Sequence, residues 1–271
     1  MVECAALEKR WRIFRPRVRI PPSPQMSISK ELQYLLAEKY KGVKSPTFYF
    51  DRLLLYLGYP LAYIIGTQPF LKLDLKLRHR VLIPRPETEF WLKEYVFSLF
   101  EKDTKFEALD IFSGSGCLGL ALAKEFKNAK VFLSDKNPKF IELIKENVHI
   151  NNIKNAEAVQ SDMFENLTDK KFDLILANPP YIYFFKFNFD LSILFEDWRS
   201  LFARHSGLYF IEELLNKAHN FMKKEAYLFL EFDPWQKKSI EKYLITSNLP
   251  YNFEFLKDQH DNTRILKLWL N

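Results

Sequence analysis

Cysteine is scarce in this chain of 271 residues, which contains only two cysteines and five histidines. Cys4 and Cys117 are too few to form a disulfide framework. A reducing compartment is their natural setting, and we expect the protein in the cytoplasm. The histidines show no metal-ligand spacing with one another or with cysteine, so the sequence predicts no metal site.

Long apolar runs are also missing. The longest, Leu53 to Gly66, is too short to span a bilayer and is interrupted by Gly58 and Pro60. Charged residues occur throughout the first 20 positions without an apolar stretch, so the sequence predicts no secretory signal. We therefore expect no membrane partner.

Positive charge is sparse once the first 25 residues are set aside. The formal net charge is +6, of which residues 1–25 supply +4. Phosphate binding needs clusters of lysine and arginine, so we expect no direct nucleic-acid partner. Residues 1–25 carry four prolines and no helical or strand periodicity. They are interpreted as a disordered tail or a misassigned start, with Met26 as the first true residue; a functional basic arm is the alternative.

The most informative feature is the segment Asn178-Pro179-Pro180-Tyr181, which follows an apolar run, 172–177, typical of a buried strand. Two prolines cannot continue a strand, because neither donates a backbone hydrogen bond. The chain must turn at the carboxyl end of the strand, where open α/β sheets bind ligands. A planar NH2 group needs two acceptors and a flat ring. We therefore predict these four residues as catalytic and substrate-binding, with the Asn178 side-chain oxygen and the Pro179 carbonyl as acceptors. A simple strand-ending turn is the alternative.

A glycine-containing turn lies upstream, between an apolar strand at 106–111 and a helical run beginning at 117. Glycine lets the backbone approach a ligand closely, and a helix N-terminus favours electron-rich groups. The turn is therefore predicted to bind a cofactor through Phe112, Ser113, Gly114, Ser115 and Gly116.

Two acidic residues end the next two predicted strands. Asp135 follows the strand 130–134 at the distance from the glycine turn that suits a ribose diol. Asp162, with Met163, follows the run 156–160, where a carboxylate can accept a hydrogen bond from an adenine amino group. Either aspartate alone would be interpreted as a helix cap or a solvated turn residue. Their succession, together with Asn178, predicts an adenosine-containing cofactor across the carboxyl ends of four strands.

These motifs resemble those of the methyltransferases that use S-adenosylmethionine, and the Asn178 turn is similar to that of enzymes acting on a planar amide or amino nitrogen. The run 60–66 and the run 84–89, Pro-Arg-Pro-Glu-Thr-Glu, resemble the release factor glutamine methyltransferases. The resemblance covers roughly residues 53–270. It implies S-adenosylmethionine as the cofactor and, as the substrate, the glutamine of a Gly-Gly-Gln loop in a peptide-chain release factor. Arg85 and Glu89 are interpreted as supporting substrate or cofactor, with a structural ion pair as the alternative.

Two positions depart from the pattern of that family. Phe112 stands where the family usually has glycine, which changes the turn near the methionine end of the cofactor. Glu196-Asp197 stands where an acidic residue is usually followed by proline.

The alternation of strand-like and helical runs from residue 106 onward predicts an α/β fold with a doubly wound parallel sheet. By analogy with Rossmann-like methyltransferases, the runs 251–256 and 263–269 form a closing antiparallel hairpin. Residues 26–68 are predicted as a small helical domain, either for substrate docking or as an extension over the sheet edge. Residues 69–90 are a hairpin linker, and 91–271 the methyltransferase domain. The segment 182–209, aromatic at its start, is a lid over the site or a segment packed under the next helix.

The residues alone indicate only a planar NH2 acceptor. Three alternatives remain beside the release factor enzyme: a ribosomal-protein glutamine methyltransferase, a nucleic-acid amino-methyltransferase, and a non-catalytic binding module on the same fold. The modest charge of residues 26–271 argues against the nucleic-acid enzyme. Asn178 with Asp135 and Asp162 argues against a non-catalytic module. We expect a monomer.

Overall fold

The structure is a computed structural model that describes residues 28–183, 195–197, 201, 203 and 205–270. The predicted tail at 1–25 and most of the aromatic start of the segment 182–209 lie outside the described residues. Within the described ranges, no helix is long and apolar enough to cross a membrane.

The described chain begins with three helices: α1 (Ile28–Glu38), α2 (Pro46–Tyr56) and α3 (Leu61–Ile65). Helix α2 starts where the sequence predicts, because Ser45 Oγ accepts a hydrogen bond from the Phe48 N–H and Pro46 occupies the first turn. Gly66 ends α3 in the left-handed conformation. The helices share a small apolar core of their own, composed of Leu35, Phe48, Leu55, Leu61 and Ile64.

A short antiparallel hairpin follows, with β1 (Thr67–Phe70) and β2 (Leu73–Lys76). Within the linker predicted at 69–90, the alternating residues at 70–82 favour a hairpin there, so the hairpin begins earlier and ends sooner than expected. The reason is a tight turn: the Val81 N–H donates to the Arg78 carbonyl, and His79 and Arg80 both have positive φ, at 58° and 59°. A strand cannot contain that conformation.

Helix α4 (Pro86–Trp91) leads from the hairpin into the main sheet. It continues through a π-helical turn, Leu92–Val96, and a 3-10 turn, Phe97–Leu99. The sequence predicts one helix from 88 to 100, so the extent is close, but the helix starts two residues earlier with proline in its first turn.

The main sheet has seven strands in the order β5-β4-β3-β6-β7-β9-β8. The first five are parallel, and β9 lies antiparallel to both β7 and β8. The predicted doubly wound sheet and its closing hairpin are confirmed. The strands are β3 (Glu107–Ile111), β4 (Lys130–Asp135), β5 (Ala156–Gln160), β6 (Phe172–Ala177), β7 (Met222–Glu231), β8 (Tyr251–Lys257) and β9 (Thr263–Leu270).

Helices cover both faces of this sheet: α5 (Cys117–Glu125), α6 (Pro138–Ile150), α7 (Tyr209–Ala218) and α8 (Lys237–Thr246). Side chains alternate between two cores, as the two-residue period of a strand requires. In β3, for example, Ala108 belongs to one core and Leu109 and Ile111 to the other.

The main boundary error lies between α7 and β7, because the helical run at 211–223 and the strand-like run at 226–232 in the sequence predict different bounds for them. The helix spans 209–218, and the strand begins at 222. The first part of β7 contains an irregularity: Phe172 pairs with Met222, but Leu174 pairs with Tyr227. This bulged stretch is charged and has no alternating apolar pattern, so periodicity did not reveal it.

The order of the strands determines where a ligand binds. From β3, the chain winds outward to β4 and β5 on one side and to β6 and β7 on the other. The crevice outside the carboxyl ends at such a reversal is the usual ligand site of an open α/β sheet. All four predicted segments, which follow β3, β4, β5 and β6, meet at this edge.

Candidate active site

Two adjoining clefts lie at the carboxyl edge of the sheet. The first cleft encloses about 850 Å³, open solvent included. The second cleft has about 840 Å³. Three residues line both clefts and so form the wall between them: Leu82, Arg85 and Asn178.

The glycine turn forms the floor of the first cleft through Phe112, Ser113, Gly114 and Ser115. Gly116, also predicted to bind cofactor, is not among the lining residues. Its φ of 82° closes the turn, with its N–H donating to the Ser113 carbonyl at 2.7 Å. A Cβ on Gly116 would meet Leu120 and Leu133 within 3.2 Å. Its role is therefore conformational.

Phe112, which stands where the family usually has glycine, is accommodated by a contact with another ring. It adopts the left-handed conformation, with φ of 61°, which suits glycine better than a bulky side chain. Its ring packs edge-on against Phe210, 5.7 Å between centroids, and this contact offsets part of the backbone strain. Phe210 also lines the first cleft.

Asp135 is held rigidly at the end of β4. Its Oδ2 accepts a hydrogen bond from the Gly114 N–H at 3.0 Å, and its Oδ1 accepts one from the Asn137 N–H at 2.9 Å. Burial raises the pKa of Asp135, and the two hydrogen bonds counteract part of that rise. Because a carboxylate offers about four acceptor positions, each oxygen keeps capacity for a hydroxyl donor.

Asp162 and Met163 also line the first cleft, after β5. The Asp162 carboxylate is exposed and makes no hydrogen bond to any described residue, whereas Met163 is buried with φ of 50°. This placement is compatible with the predicted contact to an adenine amino group, which stays a prediction.

Sequence reasoning missed two polar residues of this cleft, Asp110 and Ser134. Asp110 Oδ2 accepts from the Gly119 N–H at 2.8 Å, while Asp110 Oδ1 and Ser134 Oγ are buried without a hydrogen-bond partner among the described residues. Burial raises the pKa of Asp110 to about 7. Unsatisfied polar atoms in a cleft fit a polar cofactor that supplies their partners. The position of Asp110 and Ser134 near strand ends was the sequence signal that could have identified them. Phe210 also lines this cleft, but it lies 98 positions after Phe112 and had no such signal in the local sequence.

The Asn178 turn connects the clefts. Pro180 faces the first cleft, whereas Pro179 and Tyr181 line the second. The Asn178 side chain is half-buried and makes no hydrogen bond to any described residue. Both its oxygen and its NH2 group are therefore free to bind ligands within the described part of the chain.

Tyr181 is held in place by Glu231, a residue that was not predicted from the sequence to belong to the site. The Tyr181 hydroxyl donates to Glu231 Oε1 at 3.0 Å, and Thr88 Oγ1 and Trp91 Nε1 donate to Glu231 Oε2 at 2.7 and 2.8 Å. Burial, reinforced by the Glu231 carboxylate, raises the pKa of Tyr181 well above its usual value. Tyr181 is therefore a neutral phenol whose ring is held in place.

Arg85 and Glu89, both predicted to support substrate or cofactor, differ in whether they face the clefts. Arg85 lines both clefts, and its Nη2 donates to Glu196 Oε1 at 2.6 Å, a different partner from the Glu89 with which the sequence associates it. Glu89 is buried outside both sets of lining residues, and its Oε1 accepts from the Leu71 N–H at 2.6 Å. Glu89 thus stabilises the β1–β2 turn and does not face a cleft. Among the described residues, no group of histidine, cysteine, aspartate and glutamate side chains is arranged to hold a metal ion.

Comparisons with known proteins agree with this geometry. Residues 94–192 match the model of the methyltransferase small domain. The solved structure of a methyltransferase from Pyrococcus furiosus superposes with a TM-score of 0.55, covering 81% of this chain and 98% of that one, at 19% identity. That likeness shows the fold alone.

The curated relatives are more specific. The release factor glutamine methyltransferase of Mycoplasma mycoides is 33% identical over 247 residues, 88% of this chain and 87% of that protein. The release factor glutamine methyltransferase of Lactococcus lactis is 38% identical over 184 residues, 67% of each chain. Identity of this extent over most of both chains shows common descent. The chain therefore belongs to the release factor glutamine methyltransferases, which use S-adenosylmethionine as the methyl donor.

Proposed function

We propose that this protein transfers a methyl group from S-adenosylmethionine to the side-chain amide nitrogen of the glutamine in the Gly-Gly-Gln loop of a peptide-chain release factor. The observation that carries the proposal is the position of Asn178 in the wall shared by the two clefts. A group transferred from a cofactor in one cleft to an acceptor in the other must pass this wall. The substrate's identity is supported by the names of the relatives.

The chemical difficulty lies in the acceptor, because the lone pair of an amide nitrogen is delocalised. When bound, the cofactor supplies an electrophilic methyl group on a sulfonium. The Asn178 side-chain oxygen and the Pro179 carbonyl accept the two hydrogens of the substrate NH2 and orient its nitrogen. Alignment of this kind can contribute ~7–11 kcal/mol to lowering a barrier. Pro179 and Pro180 keep the acceptors rigid, and the Tyr181 ring flanks the amide plane.

The first cleft takes the cofactor. The two Asp135 oxygens accept from the ribose hydroxyls, and Asp162 accepts from the adenine amino group. Ser113 to Ser115, which line this cleft, would form the floor beneath the cofactor. No general base is assigned among the protein's residues, because the nitrogen that has gained the methyl group can release its extra proton to solvent, and the protein's task is orientation.

Replacement of Asn178 tests the proposal. Asn178→Ala should lower the single-turnover methylation rate by roughly 10²–10³-fold, the usual cost of losing one preorganised polar contact. Cofactor affinity should stay within about threefold, because Asp135 and Asp162 lie at other strand ends. Asn155→Ala is a suitable control: Asn155 makes two side-chain hydrogen bonds, to the carbonyls of Phe126 and Ala129, outside both clefts.

Thermal unfolding, cofactor titration and single-turnover methylation should be measured on the same samples. If Asn178 only stabilises the turn, Asn178→Ala and Asn155→Ala will lose stability alike and keep their rates. A folded Asn178→Ala protein that binds cofactor and methylates a Gly-Gly-Gln substrate at a near-normal rate would refute the catalytic assignment.

The substrate itself is tested by offering labelled S-adenosylmethionine with release factor, ribosomal protein and RNA in parallel. We expect label in the release factor alone, on the glutamine side chain. Label in a ribosomal protein would leave the chemistry intact and change the substrate. We place this activity in the cytoplasm and assign it to a monomer.

We further propose that the helical domain docks the release factor through an exposed face of α2. Five apolar side chains on this face are between half and two-thirds exposed: Tyr49, Phe50, Leu53, Tyr56 and Leu57. The Arg52 guanidinium lies 5.4 Å from the Tyr49 ring and 6.0 Å from the Tyr56 ring. Aromatic residues and arginine are enriched in protein interfaces. The one acidic residue of α2, Asp51, is buried and paired with Lys39, so the face suits an apolar surface with an acidic rim.

The docking proposal predicts a loss that depends on substrate size. Phe50→Ser with Leu53→Ser should raise KM for intact release factor, while a short Gly-Gly-Gln peptide is methylated as before. Ile245→Ser, at an apolar position of α8 that is 69% exposed, is the matched control. Equal KM values for the α2 variant and the control would support the alternative, a helical extension covering the sheet.

A further inference from the structure

The wall between the two clefts contains one charged residue. Of the three residues that line both clefts, Leu82 is apolar and Asn178 is neutral, so Arg85 is the single cation. Its side chain is 22% exposed, and one of its nitrogens is bonded to Glu196. A guanidinium has five N–H donors, so this contact leaves donors available toward the clefts.

Glu196 is placed independently of Arg85. Its side chain is fully buried. The residues on either side of it are bound to the tight turn that follows β2: Arg80 Nε donates to the Phe195 carbonyl, and the Asp197 N–H donates to the Arg80 carbonyl, both at 2.6 Å. The Phe195 ring also packs edge-on against Tyr59 of the helical domain, 4.9 Å between centroids. Glu196 is thus fixed by its neighbours, and it determines the orientation of the Arg85 guanidinium.

The pairing determines what kind of ligand Arg85 can take. Because Glu196 already neutralises the guanidinium, Arg85 has little net charge left for an anion, but it keeps N–H donors. The second cleft is also lined by three acidic residues, Glu87, Glu231 and Asp233, and by one further cation, Arg264, which is itself paired with Asp258. This excess of negative charge disfavours a further carboxylate. A neutral oxygen acceptor, such as a peptide carbonyl, is the ligand that fits.

We propose that Glu196 is a positioning residue, which holds the Arg85 guanidinium so that its remaining N–H groups donate to a backbone carbonyl of the loop carrying the acceptor glutamine. The inference rests on the proposed function. Glycines beside that glutamine present their carbonyls without side-chain obstruction, so a glycine-containing loop can approach the wall closely. The contact forms equally in the bound substrate and in the transition state. It therefore sets the affinity for the substrate and not the rate of transfer.

The test compares Glu196→Gln and Arg85→Ala with a matched control, Glu125→Gln. Glu125 is also a largely buried carboxylate, 14% exposed and paired with Lys72, but it lines neither of the two clefts. For each protein, KM for release factor, kcat, cofactor Kd and thermal unfolding are measured. A glutamine amide without flanking residues serves as a second acceptor that lacks the loop.

We expect Glu196→Gln and Arg85→Ala to raise KM for release factor by roughly 10–100-fold, the usual effect of losing a hydrogen bond to a charged group. Their kcat, cofactor Kd and activity on the small acceptor should stay near wild type, as should all values for Glu125→Gln. Glu196→Asp should restore most of the affinity for release factor that Glu196→Gln loses, because it keeps the carboxylate that orients the Arg85 guanidinium.

Three results would overturn the proposal. Unchanged KM in both variants would show that Arg85 does not touch the substrate. A weakened cofactor Kd with unchanged KM would place Arg85 on the cofactor. If kcat fell equally with both acceptors and the unfolding temperature fell as well, the ion pair would be purely structural. Failure of the proposed function is distinct, because the wild-type protein would then leave release factor unmethylated.

Discussion

Asp135 holds the glycine turn and is proposed to bind the cofactor as well. Asp135→Ala removes the acceptors of two backbone N–H groups as well as those proposed for the ribose hydroxyls. We expect S-adenosylmethionine affinity to fall by at least about tenfold, or ~1.4 kcal/mol, measured by calorimetry.

Asp135→Asn separates these roles, because the amide keeps one acceptor oxygen and loses the charge. It should fall between wild type and Asp135→Ala in affinity. An unchanged affinity in folded Asp135→Ala would exclude the ribose contact.

Asp110 gives the cofactor-free protein a specific pH dependence. Its pKa, about 7 in the folded state against 3.8 ordinarily, means that the folded state holds a proton that the unfolded state releases above pH 4. The free energy of unfolding should therefore fall as pH rises from about 4 to about 7, by at most ~4 kcal/mol from this group.

Asp110→Asn is the comparison, because an amide keeps an acceptor for the Gly119 N–H and does not titrate. Denaturant unfolding between pH 4.5 and 7.5 should show the free energy of unfolding of wild type falling relative to that of Asp110→Asn as pH rises, so that the variant gains in relative stability. A constant difference across that range would contradict the shifted pKa.

At the scale of elements, the Asn178 turn is clamped by a loop and a helix distant in sequence. Gln236 Nε2 donates to the carbonyls of Tyr181 and Ser206, at 3.0 and 3.2 Å. Gly207 lies against this junction with φ of 79°, and a Cβ there would be 2.2 Å from the Tyr181 carbonyl oxygen. Only glycine permits the three segments to meet.

Gly207→Ala should therefore separate the clamp from the Asn178 turn, destabilise the fold and lower methylation sharply. Gly42→Ala provides the control, because Gly42 has φ of 87° but no atom within 4 Å of an added Cβ. The control should lose only about 1–2 kcal/mol of stability from the left-handed conformation and keep its activity. Equal activities in the two variants would mean that the clamp does not hold the catalytic turn.

At the scale of the whole molecule, the main sheet and the N-terminal helices each have an apolar core, and the predicted tail at 1–25 differs from both in composition. A chain that begins at Met26 should fold and methylate release factor at the wild-type rate. Circular dichroism and a methylation assay check this. Lost activity in a folded protein would support the basic-arm interpretation of the tail.

The main sheet and the polar residues at its edge were predictable from sequence. The alternation of strand and helix, the glycine turn and the aspartates at strand ends are local patterns, so residue order alone revealed the doubly wound sheet and the polar residues Asp135, Asp162 and Asn178. Parallel strands bring their carboxyl ends to one edge, which is why these separate motifs could be assigned to one site.

Contacts between distant segments had no such local pattern. Glu231 beneath Tyr181, Glu196 beside Arg85 and Phe210 against Phe112 are each set by packing of elements 50 to 111 positions apart. Glu89 is the opposite case, a residue that sequence motifs place in the site and packing does not. Its carboxylate accepts a hydrogen bond from the backbone of the β1–β2 turn instead of lining a cleft. Local pattern determined the sheet and the residues at its edge. Tertiary packing decided which side chains line the clefts and which hold them there, because burial and pairing depend on neighbours that the order of residues does not specify.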